Sequence, residues 1–519
     1  MSIRSLFIFF IFSISFICSD DFTDKTKYPT RKSIKGLQPD FQQIDQIYGN
    51  EVHGVAMNFV WANWQPYLKQ SPCSDGETLF EGYCYIIDAQ LVNVIKTYTA
   101  QKVVVTGVIY GTPSWCRRKC SVATADIFCA PTKEGSTYFG LFTKFIAYLF
   151  NGENGNGRVA DFVIHNEVNS IDWFNFGCDS GNCDVGEWTT IYSQSWNAAY
   201  DQIRKEQKKA KVLISFEHSF FKELDYLVKE KHAVISVETF LENLIPKLGN
   251  REWRLAFHAY PIDLLKPEFG ADDYPYITFG NIGVLSGWLH KNYPDKPYTW
   301  EIQLTENGIN ANVESMYEKQ KNGLCQAYKN ILGTPGIESF IYHRLVDHPD
   351  ELKLGLGCGL WHGVNQFKPS WELFCYVNRK ILDYPKCGFE FLPYVELVNA
   401  YSSKYQSHYV STRNLPKDFT KQNSFKINRE KDANEEMVMA YECRVGDPKG
   451  THSFISTDPN CENQFNMGPM GYLYKNKVKN SIPIYRCIIK VRSDHFISSD
   501  PKCEGKGVAE SLVGYGFKV

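Results

Sequence analysis

Two short stretches pair a carboxylate with an amide: "FVIHNEVNS" at 162–170 and "QLTENG" at 303–308. In each, an apolar run breaks at a glutamate beside an asparagine, Asn166-Glu167 in one and Glu306-Asn307 in the other. The glutamates stand 139 positions apart (306 less 167). A lone glutamate at a strand end is more often a solvated loop residue. Two that face each other across a cleft are what glycosidic cleavage needs. One gives a proton to the leaving oxygen and the other attacks the anomeric carbon; in a retaining enzyme the two carboxyl groups stand about 5–5.5 Å apart. The donor must keep its proton near neutral pH, through burial or a neighbouring carboxylate, and the attacking group must stay ionised among hydrogen-bond donors.

Placing them face to face requires a frame that repeats strand ends on one side. Apolar runs alternate with helix-period segments from about residue 30 to 385. Strands are predicted at Ser33–Leu37, Val52–Phe59, Lys102–Tyr110, Ala160–His165, Lys211–Phe216, Trp253–His258, Tyr298–Thr305 and Gly336–His343. Helical candidates between them include "DAQLVNVIKTYTA", "STYFGLFTKFIAYLF", "IYSQSWNAAYDQIRKEQKKA" and "NIGVLSGWLHKNY". Strand and helix alternating eight times predict a (β/α)8 TIM barrel over 30–388. Runs such as "KVVVTGVIY" suit strands covered on both faces. A doubly wound sheet is the alternative, but no Gly-rich phosphate turn follows an early strand.

Barrel function sits where the strands end. Glu167 and Glu306 then close the fourth and seventh strands, on opposite sides of the mouth. His258 and Tyr260, after strand six, are placed to donate to Glu306, and Asn166 to reach a sugar 2-hydroxyl. Glu217 and His218, after strand five, either line the cleft or form a structural ion pair. Asn58, on strand two, and His343, after strand eight, are further substrate-binding candidates. Trp61, Trp64, Trp115 and Trp173 offer flat faces for sugar stacking, with core or loop packing as the competing reading. His343, Arg344, Asp347 and His348 have the types for a metal but fit a charged wall better. A metal-dependent hydrolase would want His-x-His at an early strand, where only His53 stands, so neither metal nor cofactor is expected.

"NE" after strand four, "HAY" after strand six and "ENG" after strand seven resemble the clan-A retaining glycoside hydrolases. That resemblance covers roughly residues 30–385. It implies Glu167 as acid/base, Asn166 as its 2-hydroxyl partner, Glu306 as nucleophile and Tyr260 as the donor to it. "HNEVN", "FEHSF", "HAYP", "LTENG" and "YHRLVDH" together resemble a poorly characterised family of secreted barrel proteins related to that clan. The chain departs at strand eight, which ends in His343 where many clan members place a stacking Trp; Trp361 is the candidate substitute.

After about Pro393 the helical period fades. "SHYVSTRNLPKDF", "THSFISTDPNCEN" and "SDHFISSDPKCEG" align, with Tyr409, Phe454 and Phe496 spaced 45 and 42 residues apart. Three β-rich repeats predict a β-trefoil-like domain over 393–519. Bridges Cys443–Cys461 and Cys487–Cys503 are expected within repeats two and three, and weak glycan binding by the domain.

The N-terminus reads as a signal peptide over 1–19, with Arg4 before an apolar run from Leu6 to Cys18 and cleavage near Ser19. No later segment is long and apolar enough to span a bilayer, so no membrane association is expected after cleavage. Losing Cys18 leaves 15 of the 16 cysteines, predicting disulfides and at least one free thiol in a secreted or lysosome-like setting. Cys116, Cys120 and Cys129, and the pair Cys178 and Cys183, fall where they can staple long loops. A net charge of −2 without basic runs argues against nucleic acid. The 31 Tyr, 35 Phe and 11 Trp suit a protein that stacks on sugar rings. The chain is thus expected to be a monomeric, secreted retaining glycoside hydrolase acting on an oligo- or polysaccharide. A non-catalytic carbohydrate-binding or adhesion protein is the alternative, separated from it by whether Glu306→Gln abolishes hydrolysis.

Overall fold

A computed structural model describes residues 28–120, 125–178, 183–222, 233–377, 387, 392–413 and 415–519. The leader expected at 1–19, with Cys18 and Ser19, lies outside the described residues. Eight parallel strands close into a barrel in sequence order: β1 Lys35–Leu37, β2 Gly54–Val60, β3 Val104–Tyr110, β4 Val159–Ile164, β5 Lys211–Phe216, β6 Arg254–Phe257, β7 Ile302–Asn307 and β8 Ile337–Tyr342, which pairs back with β1. The seventh strand starts later than its sequence suggested. Pro297–Trp300 takes a 3-10 turn instead, with Pro297 at its first position, and this carries the strand through Glu306.

The period of two along each strand sorts side chains into an inside and an outside. Outward residues such as Met57, Phe59, Ile109, Phe162, Ile164, Ile214 and Phe257 pack under the helices, in one core with Phe139, Phe142, Trp188, Tyr192 and Trp196. Inward residues stack in layers, as barrels require. At the lower layer Arg31 Nη2 reaches Asp161 Oδ2 (2.7 Å), Thr106 Oγ1 (3.1 Å) and Gln303 Oε1 (3.3 Å), closing that end with polar groups. Two residues further along, Ala56, Val108, Val163, Leu213, Ala256 and Ile341 form an apolar plug. One more step of two reaches Asn58, Tyr110, Ser215 and His258, so the mouth is in phase with the plug beneath it, and Thr305, two past Gln303, stands beside His258 because β7 pairs Gln303 with Ala256.

Four of the longer helices among the described residues begin on side-chain caps, and each cap satisfies an otherwise orphaned amide. Asp88 accepts from Leu91 N before α1 (Ala89–Ala100), Thr132 from Gly135 N before α2 (Lys133–Leu149), Asp184 from Glu187 N before α3 (Val185–Glu206) and Ser236 from Thr239 N before α4 (Val237–Leu248). Helix α5 (Gly283–Asn292) precedes β7, α6 (Tyr317–Leu332) lies between β7 and β8, and α7 (Pro369–Tyr376) follows β8. Among the described residues no helix is long and apolar enough to cross a membrane.

The C-terminal part is a domain of antiparallel sheet: β9 Tyr394–Ser402, β10 Ser407–Ser411, β11 Thr420–Asn428, β12 Met437–Arg444, β13 Ser453–Ser456, β14 Phe465–Tyr474, β15 Ile482–Ile489, β16 Asp494–Ser498 and β17 Val508–Lys518. β9 pairs with β10 and β11, β12 with β13 and β14, and β15 with β16 and β17. The last strands β11, β14 and β17 also pair among themselves around one core that includes Leu397, Phe425, Ala440, Leu473, Ile484 and Val513. The domain docks on α5: His290 Nδ1 meets Tyr441 Oη at 2.9 Å. Gly468, at φ 115°, crosses Gly283 so closely that a Cβ would lie 2.1 Å from the Gly283 carbonyl oxygen.

Among the described residues there are six disulfides: Cys73–Cys84, Cys120–Cys129, Cys178–Cys183, Cys325–Cys387, Cys443–Cys461 and Cys487–Cys503. The two expected in the C-terminal domain are among them, as are two that staple barrel loops. Cys116 and Cys358 are buried thiols.

Candidate active site

Strand β4 ends at Ile164, and the chain then turns sharply. His165 at φ 59° and Glu167 at φ 36° both take left-handed backbone, which costs a side-chain-bearing residue energy and is characteristic of functional turns. The first kink directs His165 outward, where its ring stacks on Phe139 (4.5 Å) and Nε2 meets Ser195 Oγ (2.7 Å). Burial drives its pKa down to about 3, so this ring stays neutral. The second kink is pinned by the Glu167 N–H donating to Ser215 Oγ at 3.0 Å. Glu167 thereby returns to the barrel mouth, where its Oε1 lies 2.7 Å from His258 Nδ1.

Glu306 is held on the other side. Tyr260 donates its hydroxyl hydrogen to Glu306 Oε1 at 3.1 Å. The glycine of "ENG" is required there: a Cβ on Gly308 would lie 2.8 Å from both Cys358 Cβ and the His343 carbonyl oxygen. Glu306, Asn166, His258, Thr305, Gln38 and Asn58 line one small cavity at the mouth.

The two carboxyls are pushed in opposite directions. Glu167 is held above the ordinary carboxylate range, by burial first and by the nearby Glu306 and Glu217 in addition, against the opposing pull of His258. Burial also acts on Glu306, but His343, His258 and the Tyr260 hydroxyl outweigh it and hold that group below the ordinary range. His258 sits between them. Burial favours its neutral form, yet the hydrogen bond to Glu167 and the charges of Glu306, Glu167 and Glu217 raise its pKa overall. Its Nε2 faces Thr305 Oγ1 (3.2 Å) and Ser215 Oγ (3.4 Å).

Sequence reasoning set both His258 and Tyr260 on Glu306. The structure divides them: Tyr260 bonds Glu306 and His258 bonds Glu167. The reason is position, since His258 leaves β6 in phase with Ala256 and reaches back toward β5 and β4. Glu217 is engaged locally. Its carboxylate accepts from Asn169 Nδ2 (2.7 Å), Ser219 N (2.9 Å) and Ser219 Oγ (2.9 Å), with His218 Nδ1 at 3.5 Å, so it ties the turns after β4 and β5 together instead of facing a ligand. His218 Nε2 faces the Ile262 carbonyl. His343 Nε2 pairs with Glu351 at 3.3 Å, and Arg344 shares that carboxylate at 3.0 Å. Asp347 is consumed by the buried Lys368 (2.8 Å).

Trp361 does not take the stacking role. It is 1% exposed and enclosed by Phe367 and Trp371. Trp61 and Trp64 are likewise core. Trp115 is half-buried, edge-on to Trp61, with Nε1 donating to the Gln65 carbonyl at 3.1 Å. Trp173 belongs to a half-buried aromatic wall: it meets Phe128 at 4.6 Å, and Phe128 stacks on Tyr110 at 5.9 Å. Tyr110 ends β3 beside the site, its hydroxyl pushed up to about 12 by burial and by the Glu306 charge. Sequence reasoning missed Tyr110, Phe128, Ser215, Thr305 and Gln38. Tyr110 and Gln38 stand at strand ends and were open to the same rule; the Ser215 and Thr305 contacts become legible only once β5, β6 and β7 lie side by side.

Fold and site together define a (β/α)8 barrel with a half-buried glutamate pair at its carboxyl face, joined to an antiparallel β domain. The chain belongs to the family of unknown function DUF5722, whose model matches residues 27–383. A search of curated proteins found no match. Among solved structures, the chain is similar to the exo-β-1,4-mannosidase Op5Man5 from Opitutaceae bacterium strain TAV5 (12% identity, TM-score 0.40, 64% of this chain and 54% of that one). It is also similar to a family 39 glycoside hydrolase from Bacteroides cellulosilyticus WH2 (11%, TM-score 0.45, 86% and 81%). A third is a family 1 β-glucosidase from Thermotoga maritima (14%, TM-score 0.40, 65% and 85%). The match spans only about half the mannosidase's length. Identities and TM-scores this low say nothing about chemistry.

Proposed function

We propose that this chain is a retaining glycoside hydrolase in which Glu167 is the acid/base and Glu306 the nucleophile. One observation carries the reading: two half-buried carboxyls share the barrel mouth, and their surroundings separate their proton affinities, which is how acid and base roles are set within one site. In the first step Glu167 gives its proton to the glycosidic oxygen as a Glu306 oxygen bonds to the anomeric carbon and the leaving group departs. In the second, Glu167 takes a proton from water, whose oxygen displaces Glu306 from that carbon. His258 steadies the charge Glu167 gains between the steps. Tyr260 keeps Glu306 ionised and oriented. Asn166 is suited to a sugar hydroxyl, and the Tyr110–Phe128–Trp173 wall offers faces for ring stacking. The non-catalytic binding alternative leaves this separation of the two carboxyls without a task.

Six disulfides and the expected leader support export. For the C-terminal domain, the three strand groups placing the buried Tyr409, Phe454 and Phe496 on β10, β13 and β16 support a trefoil-like threefold repeat in which these rings are core, and weak glycan affinity is proposed for the domain from that fold alone. The test of the catalytic reading is a screen for reducing-sugar release on diverse glycans, with Glu167→Gln and Glu306→Gln as controls and product anomers followed by NMR. Release that survives Glu306→Gln undiminished sinks the reading; an inverted first-formed anomer sinks the double displacement.

A further inference from the structure

Between β1 and β2 the barrel wall opens at its carboxyl end. β2 pairs with β3 along all seven of its residues, Gly54–Val60, but with β1 through a single pair, Gly36 with Gly54. Beyond that pair the two strands part. A cavity of about 300 Å³ fills the gap, lined by Gln38, Asp40, Phe41, Asn58 and Arg344 among others. Gln38 and Asn58 also line the pit that holds Glu306 and Asn166, so the pit opens into the gap. Phe41 and Asn58 in turn line a second cavity of about 270 Å³, which continues past Asn63 to Ile86 and Asp88. The three hollows form one groove running outward from Glu306. Its lining suits sugars. Gln38 Oε1 and Arg344 Nε are buried without a hydrogen-bond partner, an acceptor and a donor for hydroxyls, which can both give and accept. Phe41 is 38% exposed and shared by the two outer cavities, a flat apolar face among polar groups. Asn58 and Asn63 are exposed along the same run.

We infer that the substrate is a neutral glycan chain whose sugars leave the catalytic pit through the gap between β1 and β2, one unit between Gln38 and Arg344 and the next on Phe41; this rests on the glycosidase reading above. Shared walls place the chain. A sugar seated at Glu306 has Gln38 and Asn58 beside it, and those same side chains border the first outer cavity, as Phe41 borders both outer ones. A single sugar at Glu306 leaves both outer cavities unused. Charge selects a neutral chain. Arg344 already gives its charge to Glu351 at 3.0 Å. The carboxylates of Asp40 and Asp88 stand on the groove walls, accepting from the backbone N–H groups of Gln42 (2.7 Å) and Leu91 (3.0 Å). An acidic sugar there meets like charge, and the arginine that could offset it is taken.

The test uses the full chain carrying Glu306→Gln, so that nothing turns over, and measures calorimetric affinity for gluco-, manno-, xylo- and galacto-oligosaccharides of one to five units. In at least one series affinity rises about tenfold or more from the monosaccharide to the trisaccharide. Phe41→Ala removes the gain from the third unit, so that disaccharide and trisaccharide bind alike. Asn63→Trp, which fills the outer cavity from an exposed position, gives the same result and decides if Phe41→Ala does not fold. Equal affinity at all lengths in every series overturns the inference, as does a length gain untouched by these variants. A gain confined to oligogalacturonides or oligoglucosamines overturns it equally, since the chain is then charged. Hydrolysis of the same series by the wild-type chain is read separately. Length-dependent binding without hydrolysis removes the glycosidase reading and leaves the groove as a glycan site. Hydrolysis whose kcat/KM does not change with length overturns the inference and leaves the glycosidase reading standing.

Discussion

Changing Tyr260 to Phe removes one oxygen and asks whether Glu306 is the group that must be ionised. The Tyr260 hydroxyl donates to Glu306 Oε1 at 3.1 Å, and burial holds the phenol's own pKa well above its usual value, so it remains a donor throughout the working range. A hydrogen bond to a charged group is worth about 1.5–3 kcal/mol, which corresponds to a fall in kcat/KM of roughly 10- to 150-fold. The sign for pH follows from the cause. Glu306 is held low by His343, His258 and this hydroxyl acting against burial. Losing the hydroxyl raises its pKa, and the acidic limb of kcat/KM moves to higher pH. The basic limb belongs to Glu167 and stays in place. The assay is kcat/KM against pH for both proteins on the best glycoside from the screen. An unchanged profile with kcat/KM within about twofold refutes the reasoning, and so does a shift confined to the basic limb.

His258→Asn is expected to move the other limb: without the His258 bond, which opposes the upward push on Glu167, the basic limb moves up in the same assay while the acidic limb changes less. Stability should fall with acid, because burial lowers His165 to about 3 and His290 to about 4. Above about pH 6.5 neither state binds these protons; below it the unfolded chain does and the folded one does not, so stability drops by up to about 1.4 kcal/mol per pH unit per histidine until the folded values are reached. Urea unfolding at pH 7 and pH 5 checks this, and equal midpoints contradict it. Lys368→Met leaves Asp347 buried without its cation and should cost about 3–5 kcal/mol, with Lys368→Met/Asp347→Leu recovering much of the loss; a double variant as unstable as the single one shows that the pair was not the issue.

The sequence by itself settled the frame and the reactive types. Continuous apolar runs such as "KVVVTGVIY", alternating with amphipathic segments, gave all eight barrel strands, because apolar runs and helix periods are local properties of the chain. The rule that barrel chemistry gathers at strand ends then singled out Glu167, Glu306, His258 and Tyr260 before any distance was known. Cysteine position within like segments gave Cys443–Cys461 and Cys487–Cys503. Only the tertiary structure decided partnership. It assigned His258 to Glu167, gave Glu217 to Asn169 and Ser219, buried Trp361 among aromatics and joined the loops after β6, β7 and β8 through Asn310. Those outcomes depend on which neighbours the closed barrel sets beside each side chain. Proton affinity depends on them too: desolvation pushes both glutamates up, and only at Glu306 do the nearby donors and charges, contributed by strands far apart in the chain, outweigh it and hold the group low.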